Sequence, residues 1–256
     1  MDAMCEQVGS CRKDGLNLSC PKTVVSLESL HIDARHVSWN SGWNGLCCDI
    51  LFRESVLISM TTQEIESIQK KLASAGFYRG DIDGDWGRLS IEACQKYLTS
   101  LMPSPYPWPN SNRSSLEAFY GNPGDESNLV EFTFPYPTFY DGRRVTKGRC
   151  HFKVKDSLHR VLSQIGSLYS NRKDVMEEAE DYGGIYNFRP KRGASSLSLH
   201  SWGIAIDLDA DDNTFRDHWP MKADMPLEIM ECFAREGWIA AGAFWGYDAM
   251  HFQAAR

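Results

Sequence analysis

The segment Trp202-Gly203-Ile204-Ala205-Ile206-Asp207-Leu208 alternates strictly. Trp202, Ile204, Ile206 and Leu208 fall on one side, and Gly203, Ala205 and Asp207 on the other. A period of two predicts a β-strand. Its large apolar face demands a core. Its other face is small enough to admit a ligand and ends in a carboxylate. Ser198-Leu199-His200 stands just upstream, and near the C-terminus a second strand-like segment carries Asp248-Ala249-Met250-His251-Phe252. Two histidines and two carboxylates are thereby offered to one place.

That set suits a hydrolytic zinc site. Catalytic zinc takes three protein ligands and keeps one position open. His200, Asp207 and His251 are the candidate ligands, although other divalent ions favour the same donors. Asp248 precedes His251 by three residues, on the turn that enters the last strand. From there a carboxylate can accept a proton from an attacking water and pass it to a leaving amine. The developing oxyanion needs positive charge, which the run Gly183 to Gly193 supplies through Arg189 first and Arg192 second. Ser198, Trp202 and Trp245 are the candidate substrate contacts. Each residue also has a plainer reading: a surface aspartate at a strand end, a turn aspartate, a basic loop, or a core aromatic.

The pattern Ser-x-His-x-x-Gly-x-Ala-x-Asp followed by Asp-x-x-His-Phe resembles the zinc D-alanyl-D-alanine peptidases. This family spans VanY-like carboxypeptidases and phage L-alanyl-D-glutamate endopeptidases. The run from Tyr186 to Pro190, the run from Ser198 to Asp209 and the terminal Met250 to Gln253 are most similar to endolysin-type members, with the likeness reaching from about residue 132 to 252. The resemblance implies zinc on His200, Asp207 and His251, with Asp248 as general base. Aspartate rather than glutamate at 248 leans toward the endopeptidase branch.

Residues 60–101 read as a different unit. Ile65, Ile68 and Leu72 form one helical stripe, which Thr61 or Thr62 can cap and Gly76 can stop. A turn-rich loop from Phe77 to Gly87 follows, and then a second helix from Leu89 to Leu98 with Ile91, Ala93, Cys94 and Tyr97 as its apolar positions. Ile68-Gln69, Leu72, Gly76-Phe77-Tyr78, Asp83-Gly84, Trp86-Gly87 and Ala93 resemble a small three-helix peptidoglycan-binding module. The glutamine that usually closes its third helix has no clear counterpart, since Gln95 comes too early. Tyr78, Asp83 and Trp86 are the candidate glycan contacts, with packing as the plainer role for Trp86. Asp81, Asp83, Asp85 and Glu92 match four positions of a calcium loop, but Trp86 stands where that loop needs glycine. Asp207, Asp209 and Asp211 start the same pattern and also fail to complete it.

The expected organisation has four parts. Residues 1–59 match neither unit and read as a disordered extension of the kind an over-long gene assignment creates. Residues 60–101 are the binding module, 102–127 a stiff proline-rich linker, and 128–256 the peptidase domain. The fold class is α+β: a small antiparallel sheet carrying the site, with flanking helices from Ser157 to Ser170 and from Met225 to Gly237, and a strand from Leu129 to Phe134 ended by Pro135 and Pro137. The net charge of −7 without a basic run argues against nucleic acid as a partner. No run approaches the roughly 20 apolar residues of a membrane helix, and the N-terminus carries no signal peptide. These features lead to an expected monomer made in a host cytoplasm that reaches peptidoglycan after release. With that origin, free thiols are expected for the eight cysteines. A D-Ala-D-Ala carboxypeptidase and a non-catalytic wall-binding protein are the alternative functions.

Overall fold

The computed structural model describes residues 59–256, so the expectation for the N-terminal extension lies outside the described residues. Helix α1 (Thr62–Ser74) opens on a capping box. The Thr61 hydroxyl accepts from Glu64 N–H, and the Glu64 carboxylate accepts from Thr61 N–H at 2.7 Å. Ile65, Ile68 and Leu72 are buried as their spacing predicts, and Gln69 is buried beside them. Helix α2 (Arg88–Leu101) buries Ser90, Ala93, Cys94 and Leu98. Ile91, expected on that stripe, is exposed. Two helices, rather than three, make up residues 60–101.

The segment expected to be a stiff spacer is a packed strap. Trp108 donates from its indole N–H to Glu236 O at 2.9 Å, and its ring meets that of Trp238 edge-on. Ser111 N–H donates to Arg256 O at 2.7 Å, and Arg256 N–H donates to Pro109 O at 3.0 Å. The same segment contains helix α3 (Arg113–Tyr120), capped by Asn112, with Leu116 and Tyr120 buried. Prolines hold the strap extended, but tryptophan and leucine give it a reason to lie down on the core.

Strand β1 (Leu129–Tyr140) pairs antiparallel with β2 (Arg143–His151). Pro135 and Pro137 do not end β1, as the sequence suggests they should. They fall inside a register shift between Thr133 and Thr138, where the ladder is irregular and a missing N–H costs little. Helices α4 (Lys155–Tyr169) and α5 (Lys173–Glu180) follow. A four-stranded antiparallel sheet then assembles in the order β3 (Tyr182–Gly184), β4 (Ala205–Leu208), β6 (His251–Gln253), β5 (Ile239–Ala240), with α6 (Leu227–Arg235) and the short α7 (Ala241–Trp245) packed against it. The chain is mixed α+β, as expected. Phe233 stacks on Phe252 at 4.0 Å between ring centroids, and with Trp238, Ile204, Ile206 and Leu208 it forms the fully buried centre of the core.

The two-helix unit rests on the same core. The Tyr97 hydroxyl donates to the buried Glu231 carboxylate on α6 at 2.9 Å, and Lys71 pairs with that same carboxylate. Cys94, Cys150 and Cys232 are buried free thiols, and burial raises the pKa of each. No helix among the described residues is long and apolar enough to cross a membrane.

Candidate metal centre

The strand expected from Trp202 starts later, at Ala205. Leu199–Trp202 form a 3-10 turn capped by the Ser198 hydroxyl, and Gly203 leaves that turn in the left-handed region at φ 69°. A Cβ at Gly203 would stand 2.7 Å from Leu129 Cδ2 and 3.1 Å from His151 N, so only glycine fits there. This reversal puts His200 at the head of β4. Strands β4 and β6 pair directly, with Asp207 opposite His251.

Three donor atoms meet in consequence. Asp207 Oδ1 lies 2.9 Å from His251 Nδ1 and 3.2 Å from His200 Nε2, and the two nitrogens are 3.2 Å apart. Ligands of a tetrahedral zinc, each about 2.0–2.1 Å from the ion, stand roughly 3.3 Å from one another. The triangle therefore has the right size. The far side of each ring fixes which nitrogen carries a lone pair into it. His200 Nδ1–H donates to Ile185 O at 2.7 Å, leaving Nε2 bare. His251 Nε2–H donates to Gln253 Oε1 at 3.2 Å, leaving Nδ1 bare, and Gln253 is itself oriented by donating to Ala255 O at 3.0 Å. Two lone pairs and a carboxylate facing one point match a divalent cation, and hydrogen-bonded imidazoles of this kind are the usual support of metal ligands.

The electrostatics agree. Burial pushes the Asp207 carboxyl up, but the two histidines outweigh it and hold its pKa well below the ordinary value. Burial pushes His251 down, and its bond to Asp207 outweighs that, so its pKa is raised. The pocket is built to hold positive charge, whether a proton or an ion.

Asp248 sits beside this triangle without belonging to it. It is buried, its backbone is left-handed at φ 61°, and its Oδ1 has no hydrogen-bond partner among the described residues. Burial raises its pKa, with Asp207 adding to the effect and His251, His200 and Arg192 opposing it. A buried, unbonded carboxylate oxygen is costly, and such sites are characteristic of groups that handle protons.

All of this opens into one cleft of about 1110 Å³. Arg189, Lys191 and Arg192 line one edge, and Phe215, Trp245 and Tyr247 another, with His200, Asp207, Asp248 and His251 among the lining residues. None of the three cations forms an ion pair with a described residue. Trp245 stacks over His251 at 5.9 Å between ring centroids and is 41% exposed. Ser198 lines the cleft, but its hydroxyl caps the 3-10 turn. Trp202 is not brought to the cleft: it is buried, its indole N–H donates to Gly121 O at 2.9 Å, and Arg113 lies over its ring.

Of the candidate glycan contacts, Tyr78 and Trp86 pack within the fold and Asp83 is exposed. Tyr78 is buried, with its hydroxyl on Asp81 O. Asp83 Oδ1 accepts from the Gln69 amide at 3.0 Å, and Trp86 meets Trp219 edge-on at 5.1 Å. Gln69, wholly buried, organises the loop, since its carbonyl accepts from Asp83 and Gly84 N–H while its amide reaches Tyr78, Asp83, Asp85 and Ser90. The sequence reading missed two supports of the centre. Gln253 had a signal, since it shares a strand face with His251 two residues away. Ile185 had none, because its contribution is a backbone carbonyl. Behind β4, Glu178, Asp209 and Asp224 approach one another, and Asn213 binds both aspartates through its amide group.

Residues 192–254 match a family model described as D-alanyl-D-alanine carboxypeptidase. The match covers about a quarter of the chain. It contains His200, Asp207, Asp248, His251 and Gln253 and leaves out Arg189 and both helices of the N-terminal unit. It supports a metallopeptidase that acts on peptidoglycan. No curated protein and no solved structure matches the chain significantly.

Proposed function

We propose that the chain is a zinc-dependent peptidoglycan peptidase that cuts the stem peptide between L-Ala and D-Glu. The observation that carries the reading is the pairing of a three-donor triangle with the bonded-out histidines and the unbonded Asp248 oxygen beside it. His200 Nε2, Asp207 Oδ1 and His251 Nδ1 would hold the ion. An ion held there supplies Lewis acidity, which polarises the scissile carbonyl and acidifies water.

The remaining steps belong to side chains. Asp248 Oδ1 takes the proton of the attacking water and returns it to the departing amine. Arg189 and Arg192, from the basic edge of the cleft, face the negative charge that develops on the carbonyl oxygen. The charge of Arg192 is felt at Asp248. The apolar edge, with Trp245 stacked on His251, keeps bulk water off one side of the site. An acidic stem peptide suits a cleft whose three cations form no ion pair with a described residue.

The second reading is a D-Ala-D-Ala carboxypeptidase, which the description of the matched family favours. Mass analysis of purified sacculi after digestion separates the two. The endopeptidase exposes a new D-Glu amine and leaves L-Ala on the glycan, whereas the carboxypeptidase releases free D-Ala. Sacculi left unchanged with zinc added, under conditions where the protein binds them, would instead support a wall-binding protein. The similarity of the segments around Asn187 and His200 to endolysin-type members supports a lytic role, with the protein acting on the host wall after release.

A further inference from the structure

The helical unit at residues 60–101 touches the peptidase core at points that lead to Asp248. The Gln95 amide, on α2, donates to the carbonyls of Ala243 at 3.2 Å and Phe244 at 3.3 Å, in the last turn of α7. These carbonyls lie at the end of a helix of only five residues, where backbone acceptors otherwise depend on outside donors. α7 in turn sets the position of the segment after it. A Cβ on Gly242 would stand 2.8 Å from Ala249 Cβ and 3.1 Å from Ala249 Cα, so helix and segment are in backbone-close contact.

A second path arrives from the loop before α2. Trp86 packs edge-on against Trp219. The Trp219 N–H and the His218 ring each donate to Gly246 O, at 3.2 and 3.0 Å, and His218 pairs with Tyr247 as an isolated bridge. The two paths meet on either side of Gly246, two residues before Asp248. Asp248 itself is held at φ 61°. A non-glycine residue keeps such a conformation only when its surroundings impose it.

We propose that Gln95 is a positioning residue for the peptidase: by donating to the end of α7 it fixes the 245–248 turn and so aims the Asp248 carboxylate. The helical unit is then part of the catalytic apparatus, whatever it binds. The proposal rests on the role given to Asp248 above.

The test compares the full chain with Gln95→Ala, Gln95→Glu and Gln95→Lys. Glutamate has the same shape and no donor, while lysine restores a donor to helix-terminal carbonyls. Hydrogen exchange followed by mass spectrometry reads the 243–250 segment directly, without reference to activity. Hydrolysis of soluble disaccharide-peptides released from sacculi gives kcat and KM. The expected result for the alanine and glutamate variants is faster exchange confined to 243–250, zinc stoichiometry unchanged, and kcat lower by about 10- to 100-fold with KM within about twofold. Lysine should recover part of both losses, and Lys96→Ala, one residue along the same helix, should match the parent. Exchange and kcat of the alanine and glutamate variants equal to the parent would overturn the proposal. So would faster exchange spread over β4 and α6, which would mark a general loss of stability. If the parent hydrolyses nothing, the catalytic reading of Asp248 fails on its own, and the exchange data still decide whether Gln95 holds the turn.

Discussion

Gln253 Oε1 lies 3.2 Å from His251 Nε2, and this contact decides which nitrogen of the ring faces Asp207. With the proton held on Nε2, Nδ1 is free to act as a ligand. Replacing Gln253 by methionine keeps the volume and removes the acceptor. Zinc affinity should fall by about 10- to 100-fold, measured by competition with a chromogenic chelator. An unchanged affinity would mean that the ring orients itself without the glutamine.

Asp248 and His200 should separate chemistry from binding. Asp248→Asn keeps the size and removes the base, so one zinc per chain should remain while turnover drops by about 10²- to 10⁴-fold. His200→Ala should lose both metal and turnover. Metal analysis after gel filtration reads the first quantity and muropeptide release the second. Near-normal zinc content in His200→Ala would remove that residue from the ligand set.

Gly203→Ala introduces a Cβ at a left-handed position already 2.7 Å from Leu129 Cδ2. Strain of this kind costs about 1–3 kcal/mol, read as a lower urea midpoint. Because the 3-10 turn carries His200, zinc affinity should fall alongside stability. A stable variant with full affinity would show that the turn can relax around the methyl group.

Asp224 supplies a pH prediction. Burial first, then the charges of Asp209 and Asp212, raise its pKa to about 6. Its folded-state pKa lies above its unfolded value of 3.8, so folding favours the protonated form. Stability is then fully kept at low pH and declines as pH rises from the unfolded value through about 6. Asparagine keeps the acceptor that Asn213 uses and abolishes the charge. Asp224→Asn should be more stable than the parent at pH 7 by on the order of 1 kcal/mol, the figure being reduced for partial solvent screening. The gain should vanish near pH 4. Chemical denaturation at both pH values tests the sign.

The candidate centre was legible because its residues are spaced by strand geometry. Alternation placed Ile206 in the core and Asp207 opposite it, and one antiparallel pairing was enough to bring His251 across. His200, upstream of the strand, rides a 3-10 turn, and the glycine that makes the turn looked from the sequence like one more small residue on a strand face. Trp202 was misplaced for the same cause. The prolines of β1 and the linker misled because local backbone rules say where a chain bends, not what it lies against. Trp108 and Leu116 lie down on a surface that only tertiary structure creates. Tyr78 looked available for sugars, since nothing local reveals that its ring is buried and its hydroxyl bonded to Asp81 O.

Glu231 is 2% exposed, and its carboxylate is met by Lys71 and Tyr97 from the helical unit and by Arg235 from its own helix. Wall-targeting units are commonly treated as interchangeable parts, cut at the linker and replaced to redirect an enzyme. In this chain the cut would strip an interior anion of two of its three partners, and an uncompensated buried charge of that kind costs several kcal/mol. A donor unit from another protein would have to bring its own lysine and tyrosine to the same place. Adding a wall-targeting unit to this protein leaves that anion satisfied, whereas replacing the helical unit does not.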